Sequence, residues 1–229
     1  MKNTILLCTS AFLGLTGLAG AQEFTGGQIS LDYSTFTGDL DEANKLTLSG
    51  SAELALGRNF SLQGDLAYNS FGATDADGSA FTLHAIAHLS PSASVGLFYG
   101  QESIEGGSED YVGLEFGAGF GAFTTEAYAT SASSEVLWGL SGDYAVNEAF
   151  KLGAGFDTVN IEGIDLTRYG LTGEVKVTDQ MLLNATIGSA RVESVGSETY
   201  VAIGAEFRFG NDRGTTFDSR HISKVLPGL

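Results

Sequence analysis

The sequence has very little proline and almost no cysteine. Its 229 residues include two prolines, Pro91 and Pro227, and one cysteine, Cys8. A single cysteine cannot build a disulfide framework, which excludes the small secreted folds that disulfides stabilise. Proline has no N–H to donate to a neighbouring strand, so its near absence favours a chain that is mostly β-sheet.

Basic residues are also scarce. The chain contains 11 lysine and arginine residues against 28 aspartate and glutamate residues. Nucleic acids and anionic lipid headgroups are bound by basic patches, so this balance argues against both as partners. We therefore predict no nucleic-acid partner.

No long hydrophobic run follows residue 21, and residues 1–21 have the features of an export signal. Lys2 gives a positive start, Ile5–Leu18 is apolar, and Ala19–Ala21 matches an A-x-A cleavage site. The alternative is a transmembrane anchor, but Thr, Ser and Gly interrupt the stretch and it is short for a span. Cleavage would remove Cys8 and leave 10 basic against 28 acidic residues, a formal charge of −18.

The rest of the chain alternates between apolar and polar residues, as strands do. At the last such segment, one face carries Thr199, Val201, Ile203, Ala205, Phe207 and Phe209, and the other carries Tyr200, Ala202, Gly204, Glu206 and Arg208. We predict about twelve strands, near 27–36, 45–56, 60–71, 80–89, 94–102, 111–118, 122–130, 137–146, 150–159, 166–177, 181–190 and 198–209. Most have the ~9–11 residues that a tilted strand needs to cross a bilayer.

The links between these segments alternate in length. Longer links, each with at least one acid, fall at 37–44, 72–79, 103–110, 131–136, 160–165 and 191–197, and short ones at 57–59, 90–93, 119–121, 146–149 and 178–180. Outer-membrane barrels of Gram-negative bacteria have this alternation. We predict an all-β fold, a single antiparallel transmembrane β-barrel of about 12 strands over 22–209. Short turns are expected in the periplasm and longer acidic loops outside the cell.

A soluble barrel or sandwich is the alternative, because its strands also alternate. Two features favour the membrane form: the polar face has many small residues that fit a narrow lumen, and aromatic residues cluster near strand ends, where interface girdles lie. The residues in question are Phe60, Phe71, Tyr99, Tyr144 and Phe150. The abundant glycine, 32 residues, would relieve crowding on the inner wall.

The end of the last strand carries a short motif. Gly204, Phe207 and Phe209 resemble the C-terminal assembly signal of outer-membrane barrels, and the chain up to Phe209 resembles the small porin-like outer-membrane β-barrel family of Gram-negative bacteria. The resemblance implies a location in the outer membrane, with its lipids and the barrel-assembly machinery as partners. In that family the aromatic residue is usually the last one, whereas here residues 210–229 follow.

The polar face predicts the lining of a channel. Its charged residues are Asp32, Glu53, Asp65, Glu115, Glu126, Asp143, Lys151, Asp157, Arg168, Glu174, Glu206 and Arg208, with His84 and His88 beside them. Rings of acids in a narrow pore favour cations. We expect a porin-like channel for passive diffusion of small hydrophilic solutes or ions with a mild cation preference. The alternative is a closed structural or surface-interaction barrel, whose lumen charges pair across the interior.

Catalysis and metal binding have weaker support. His88 and Ser90 share a strand face but lack an orienting partner, so we predict no catalytic residue and no enzyme. His84 and His88 lie ~13 Å apart on one strand, too far to chelate one ion. The acidic groups at Asp39, Asp41 and Glu42 and at Asp75 and Asp77 lack a full calcium-loop pattern. We predict neither a metal site nor a cofactor.

The last residues, 210–229, differ in composition from the rest. Arg213, Arg220 and Lys224 outnumber Asp212 and Asp218. We assign this segment to the periplasm as a tail. Two readings stay open for it: a disordered end, as termini usually are, or a segment that docks at the acidic periplasmic mouth and partly closes it. The oligomeric state is not predicted.

Overall fold

The structure is a computed structural model. It describes residues 23–38, 42–74, 76–133, 135–161, 163–193, 196–210 and 214–226. The predicted export signal lies outside the described residues. Asp39, Asp41 and Asp75 also lie outside them, so neither acidic group considered for calcium is described in full.

Twelve antiparallel strands form one closed barrel, as predicted. They are β1 Glu23–Phe36, β2 Asn44–Ala55, β3 Phe60–Phe71, β4 Ala76–Ser90, β5 Ala93–Ile104, β6 Gly107–Phe120, β7 Phe123–Ala132, β8 Glu135–Ala145, β9 Phe150–Ile161, β10 Ile164–Lys176, β11 Met181–Val192 and β12 Gly196–Gly210. Each strand pairs with its neighbours in sequence. The barrel closes where β1 pairs with β12, from Gly26 opposite Gly210 to Phe36 opposite Tyr200. Closure leaves no sheet edge with unpaired N–H and C=O groups.

The two ends of the barrel can be told apart by the chain. The terminal end is the one at which β1 begins at Glu23 and β12 finishes at Gly210. Five connections lie there, including the turn at Pro91. The distal end is the opposite one, where β2 begins at Asn44.

Apolar side chains cover the outside of the barrel. Examples are Leu97, Leu171 and Ile203, which are 60%, 63% and 62% exposed. Others of this outer surface are Ile29, Leu31, Leu48, Leu114, Val112, Leu140, Leu152, Ile187 and Phe207. A soluble protein rarely exposes apolar area on this scale, so the surface fits contact with lipid rather than water. The inside of the barrel holds the polar face, as the membrane form of the prediction requires.

Interior aromatic rings sit against glycines. A Cβ atom on Gly100 would lie 2.3 Å from the Tyr111 ring, and one on Gly113 would lie 2.3 Å from the Phe98 ring. These positions therefore need glycine, because a side chain would displace the ring. The prediction that Phe71 belongs to an outer aromatic girdle is wrong. Its side chain is 3% exposed inside the barrel, since it faces the interior near the distal end.

The distal connections are shorter than the sequence suggested. The predicted loop 103–110 is almost all strand, because β5 runs to Ile104 and β6 begins at Gly107. Only Glu105 and Gly106 join them, with φ angles of 48° and 83° that suit a tight hairpin turn. In the same way β4 begins at Ala76 rather than 80. The prediction of loops there is wrong. These strand ends carry acidic residues and lack the apolar alternation by which the lipid-facing part of each strand is recognised.

The described part of the C-terminal segment has little regular structure. One 3-10 helix spans Ile222–Val225. Among the residues that the structure describes, there is no helix long and apolar enough to span a membrane.

Candidate functional site

The structure places all the predicted lining residues on the interior face of the barrel. They are Asp32, Glu53, Asp65, Glu115, Glu126, Asp143, Lys151, Asp157, Arg168, Glu174, Glu206 and Arg208, and His84 and His88 join them. The two-residue period of each strand, continued from strand to strand by the register, accounts for this placement. Their role in lining a channel remains a prediction.

Part of the interior is occupied by the chain's own C-terminal segment. We call residues 214–226 the luminal segment. The sequence analysis predicted that they belong to a periplasmic tail. They lie instead inside the barrel, from Gly214 beside Arg208 near the terminal end to Leu226 beside Lys45 near the distal end. The physical reason is that wall side chains satisfy the segment's charges and backbone groups, which a free tail would leave to water.

The segment begins its contacts at β2 and β3. The Thr216 N–H donates to Glu53 Oε2 at 2.7 Å. The Gln63 side chain then bonds both backbone groups of Phe217, donating to its C=O at 2.8 Å and accepting from its N–H at 3.1 Å. Gln63 thereby replaces the partner strand that an extended backbone would otherwise need.

The Phe217 ring fills a pocket made by two glycines. The ring is 1% exposed and lies against Gly96 of β5 and Gly117 of β6. A Cβ on Gly96 would be 3.0 Å from the ring, and one on Gly117 would be 3.2 Å from it. A larger side chain at either position would occupy the space that the ring uses.

This pocket gives a direct test of docking. We expect Gly117→Val to expel Phe217, because the valine branches would fill the pocket, and hydrogen exchange at the amides of 214–226 should speed up at least about tenfold. Gly155→Val is the matched control, since nothing lies within 4 Å of a Cβ at Gly155 on the interior face of β9. Equal exchange in the two variants would show that Phe217 does not anchor the segment.

Arg220 makes the densest contacts of the segment. Its Nε donates to Glu115 Oε2 at 3.1 Å and its Nη2 to Glu126 Oε2 at 2.7 Å, and its guanidinium lies 4.5 Å from the centre of the Tyr128 ring. Two carboxylates and one aromatic face are the usual partners of a buried guanidinium. The Arg220 C=O also accepts from the Thr82 hydroxyl at 2.6 Å.

A buried histidine fixes one of these carboxylates. His84 is fully buried, and its Nδ1 lies 2.6 Å from Glu115 Oε1 while its Nε2 lies 2.7 Å from Asp65 Oδ2. Both ring nitrogens face carboxylate oxygens, so the ring carries both protons and a positive charge. The chain of contacts runs from Asp65 through His84 and Glu115 to Arg220, and it couples the wall to the segment.

The backbone of the 3-10 helix is held by β2, β3 and β5. Glu102 accepts from the N–H of Ile222 at 2.7 Å and from that of Ser223 at 3.1 Å. Asn69 donates to Ser223 Oγ at 3.0 Å. Lys45 donates from its Nζ to the C=O of Ser223 at 2.5 Å and also to the C=O of Leu226. These bonds satisfy both ends of the short helix.

Apolar contacts hold the end of the segment in the distal part of the lumen. Val225 is fully buried against Leu137, Val159 and Leu166 of β8, β9 and β10. His221 lies just before this cluster, and burial holds the pKa of its imidazole well below the usual value. The segment therefore reaches across the lumen from the β2–β7 side to the β8–β10 side.

The lumen is not filled evenly. On the covered wall, formed by the interior faces of β2–β7, Glu53, Asp65 and Glu115 are 4%, 1% and 0% exposed. On the opposite side Lys151 is 40% exposed and Glu174 25% exposed. Water thus reaches the terminal half of β9 and β10. A cavity of about 540 Å³ also opens at the terminal end, between the wall near Glu53 and residues 214–216.

The bases on the β9–β12 side are paired with acids of the same wall. Lys151 lies 2.8 Å from Glu174, Arg168 lies 2.5 Å from Asp157, and Arg208 lies 2.5 Å from Glu206. The acids Glu53, Glu115 and Glu126 are bound by the luminal segment instead. Removing the segment would leave an excess of negative charge in the lumen.

The motif proposed for assembly lies on both faces of β12. Phe207 points outward and is 47% exposed, and the Phe209 ring stacks on Phe24 with centroids 6.0 Å apart. A Cβ on Gly204 would lie 2.0 Å from Asp32 Oδ1 in the lumen. Glycine there leaves room for the Asp32 side chain. The role of the motif in assembly remains a prediction.

The residues considered for catalysis do not form a pair. The ring nitrogens of His88 bond Ser61 at 3.0 Å and Ser94 at 2.9 Å, while Ser90 Oγ accepts from the Ser92 N–H at 3.3 Å within its turn. Within the part of the chain that the structure describes, no group of three or more His, Cys, Asp or Glu side chains converges as metal ligands would.

The sequence analysis missed most partners of the segment. These residues are Lys45, Gln63, Asn69, Thr82, Glu102, Tyr111 and Tyr128 on the wall, and Phe217 and Ser223 on the segment. The wall residues share the parity of the predicted lining residues, so the period-two pattern could have found them. Nothing in the sequence pointed to Phe217 or Ser223.

Comparison with known proteins bears on the fold. No protein-family model and no curated protein matches the sequence. Among solved structures, the KdgM porin has a TM-score of 0.63 at 12% identity, covering 80% of this chain and 99% of the porin. The chain has the fold of a small outer-membrane porin.

Two further structures show the same likeness. The NanC porin has a TM-score of 0.63 at 8% identity, covering 78% of this chain and 98% of that one. An outer-membrane channel from Pseudomonas putida F1 has a TM-score of 0.57 at 13% identity, covering 84% and 99%. One KdgM structure is a complex with disordered oligogalacturonate. At these low sequence identities, the likeness to the porins shows a shared fold.

Proposed function

We propose that this protein is a porin-like channel of the outer membrane, closed in the described state by its luminal segment. The observation that carries the proposal is a closed, polar-lined barrel whose interior holds a segment that is not part of the wall. A barrel with only a structural role does not need a lumen wide enough to hold a chain segment, because the interior of an eight-stranded barrel is already filled by its own side chains. The porin fold and the apolar outer surface support the same function.

The proposal includes the surroundings of the barrel. The terminal end lies in the periplasm and the distal end outside the cell, since both chain termini of such barrels lie on the periplasmic side. Export would use the signal at 1–21. Outer-membrane lipids contact the wall, and the barrel-assembly machinery reads Gly204, Phe207 and Phe209. Small hydrophilic solutes or ions pass when the luminal segment leaves.

The charge of the vacated lumen predicts a cation preference. Glu53 and Glu126 lose the contacts that the segment makes with them, and Glu115 keeps only His84, while Lys151, Arg168 and Arg208 keep their acids. The uncompensated carboxylates lower the energy of cations in the narrow interior and raise that of anions. The channel is therefore mildly cation-selective.

The test of selectivity is a reversal potential. We expect the barrel lacking residues 211–229 to give a cation-selective reversal potential in a KCl gradient, because its lumen acids outnumber its bases once Arg220 has left. Glu115→Gln with Glu126→Gln in the same barrel should reduce the selectivity. An anion-selective potential in the parent barrel would contradict the assignment of these acids to the pathway.

A second candidate function is a closed structural or surface-interaction barrel. The observation in its favour is the bonding of the luminal segment, whose Arg220 and backbone groups are matched by the wall at almost every position from 216 to 223. In that case the segment is a permanent part of the core. Conductance after removal of the segment separates the two functions.

A further inference from the structure

We propose that the covered wall is a binding site for peptides that carry an arginine. The luminal segment occupies this site in the described state, and a peptide from solution takes its place when it leaves. The proposal rests on the proposed channel function only in that the segment must be able to leave the lumen. It names the class of ligand that the interior recognises.

The wall binds peptide backbone rather than particular side chains at several points. Gln63 bonds the N–H and C=O of one residue, Glu102 accepts from two successive N–H groups, and Lys45 donates to carbonyl oxygens. Thr82 and Tyr111 both donate to the C=O of Arg220, at 2.6 Å and 2.5 Å. Gln63, Thr82 and Tyr111 bond the non-helical stretch 217–220, and Glu102 and Lys45 bond the 3-10 turn that follows. A peptide of another sequence that follows this path offers the same backbone groups, so they give affinity that depends little on its sequence.

One position on the wall selects a side chain. Glu115 and Glu126 bind two different nitrogens of the Arg220 guanidinium, and Tyr128 lies against its face at 4.5 Å. Lysine has a single nitrogen and no planar face, so it cannot bridge both carboxylates while stacking on the ring. The position therefore prefers arginine over lysine.

The selecting carboxylate is held in place before a ligand arrives. Glu115 Oε1 bonds His84, which in turn bonds Asp65, so Glu115 Oε2 is left to face the guanidinium. Tyr128 is fixed by its hydroxyl, which donates to Asp157 at 2.6 Å. These contacts are made within the wall and persist when the segment leaves. A preorganised site of this kind loses little conformational freedom on binding.

The terminal end provides the way in. The cavity of about 540 Å³ lies there, bounded by the wall near Glu53 and His88 and by residues 214–216. Without the segment, this cavity continues into the groove that Phe217 and Arg220 occupy. A peptide entering from this end meets Glu53 and Gln63 first and the arginine position next.

The experiment uses the refolded barrel without residues 211–229 and labelled peptides, with binding read by fluorescence anisotropy. One peptide has the sequence of residues 214–226, and a second is an unrelated Ser/Ala peptide with one central arginine. We expect both to bind. Replacing the arginine with lysine should weaken binding of each at least about tenfold.

Variants of the wall complete the test. Glu126→Gln in the barrel should remove most of the preference for arginine over lysine, because it removes one arm of the site. Glu206→Gln is the matched control, since Glu206 faces the lumen but bonds Arg208 and should leave the preference unchanged.

The outcomes separate this inference from the channel function. Equal binding of arginine and lysine peptides, or binding of the 214–226 peptide alone, would overturn the inferred ligand class. A barrel that conducts but binds no peptide would keep the channel and overturn the site. A barrel that binds arginine peptides but never conducts would keep the site and overturn the channel.

Discussion

Removing residues 211–229 is expected to turn a closed barrel into one that conducts. The segment packs Val225 against the wall in the distal part and covers the β2–β7 side through Phe217 and Arg220. A barrel of twelve strands is wider than the eight-stranded barrels that side chains alone can fill, so its interior should become an aqueous path. Single-channel recording in a planar bilayer should show discrete steps for the truncated barrel and rare or smaller ones for the full chain.

The control for truncation keeps the chain length. Replacing residues 214–226 with a Gly/Ser sequence of equal length removes the anchors but not the chain, and we expect it to conduct like the truncated barrel. Circular dichroism and resistance to unfolding in detergent establish that each barrel is folded. If folded, inserted truncated barrels conduct no more than the full chain, the segment does not close the channel.

Replacing Arg220 with alanine should release the segment without deleting it. The substitution removes the guanidinium from Glu115, which keeps His84, and from Glu126, and breaking a buried ion pair costs about 3–5 kcal/mol. That cost corresponds to a shift of about a hundredfold or more toward the undocked segment. Open probability in single-channel recordings should rise accordingly.

Two other substitutions calibrate this result. Arg220→Lys keeps the charge but loses the two-armed contact, so we expect an intermediate open probability. Lys224→Ala removes an ion pair with Asp218 at 3.4 Å, where the Asp218 side chain is 58% exposed, and exposed pairs contribute about 0–1 kcal/mol. An Arg220→Ala channel indistinguishable from the Lys224→Ala channel would show that Arg220 does not hold the segment.

The strands and the closure of the barrel could be predicted from the sequence. Each strand buries one face and exposes the other, so the period of two in residues such as 199–209 fixes which side chains enter the lumen. The same period placed Glu115 and Asp157 inside. The distal strand ends were harder, because residues 103–110 face no lipid and need no apolar side chains.

The position of the luminal segment could not be predicted in this way. Arg220 contacts Glu115 and Glu126, which lie 105 and 94 residues earlier in the chain. The basic composition of the segment suggested docking at the acidic periplasmic mouth as one of two readings, but it did not indicate that the segment enters the lumen. The depth of docking depends on the glycine pocket at Gly96 and Gly117 and on Gln63, and these local shapes exist only after the barrel closes.

The central claim is that the C-terminal segment lies inside the barrel, and cysteine cross-linking tests it most directly. Asn69 Nδ2 lies 3.0 Å from Ser223 Oγ, and Cys8, the one natural cysteine, falls within the predicted export signal. With Asn69→Cys and Ser223→Cys, a short bifunctional thiol reagent should join the two residues within one chain. The control pair is Lys151→Cys with Ser223→Cys. Lys151 lies at the terminal end of β9, far from Ser223, so this pair should stay unlinked. Failure of the first pair to link, with Ser223→Cys reacting freely with a bulky water-soluble thiol reagent, would contradict the account.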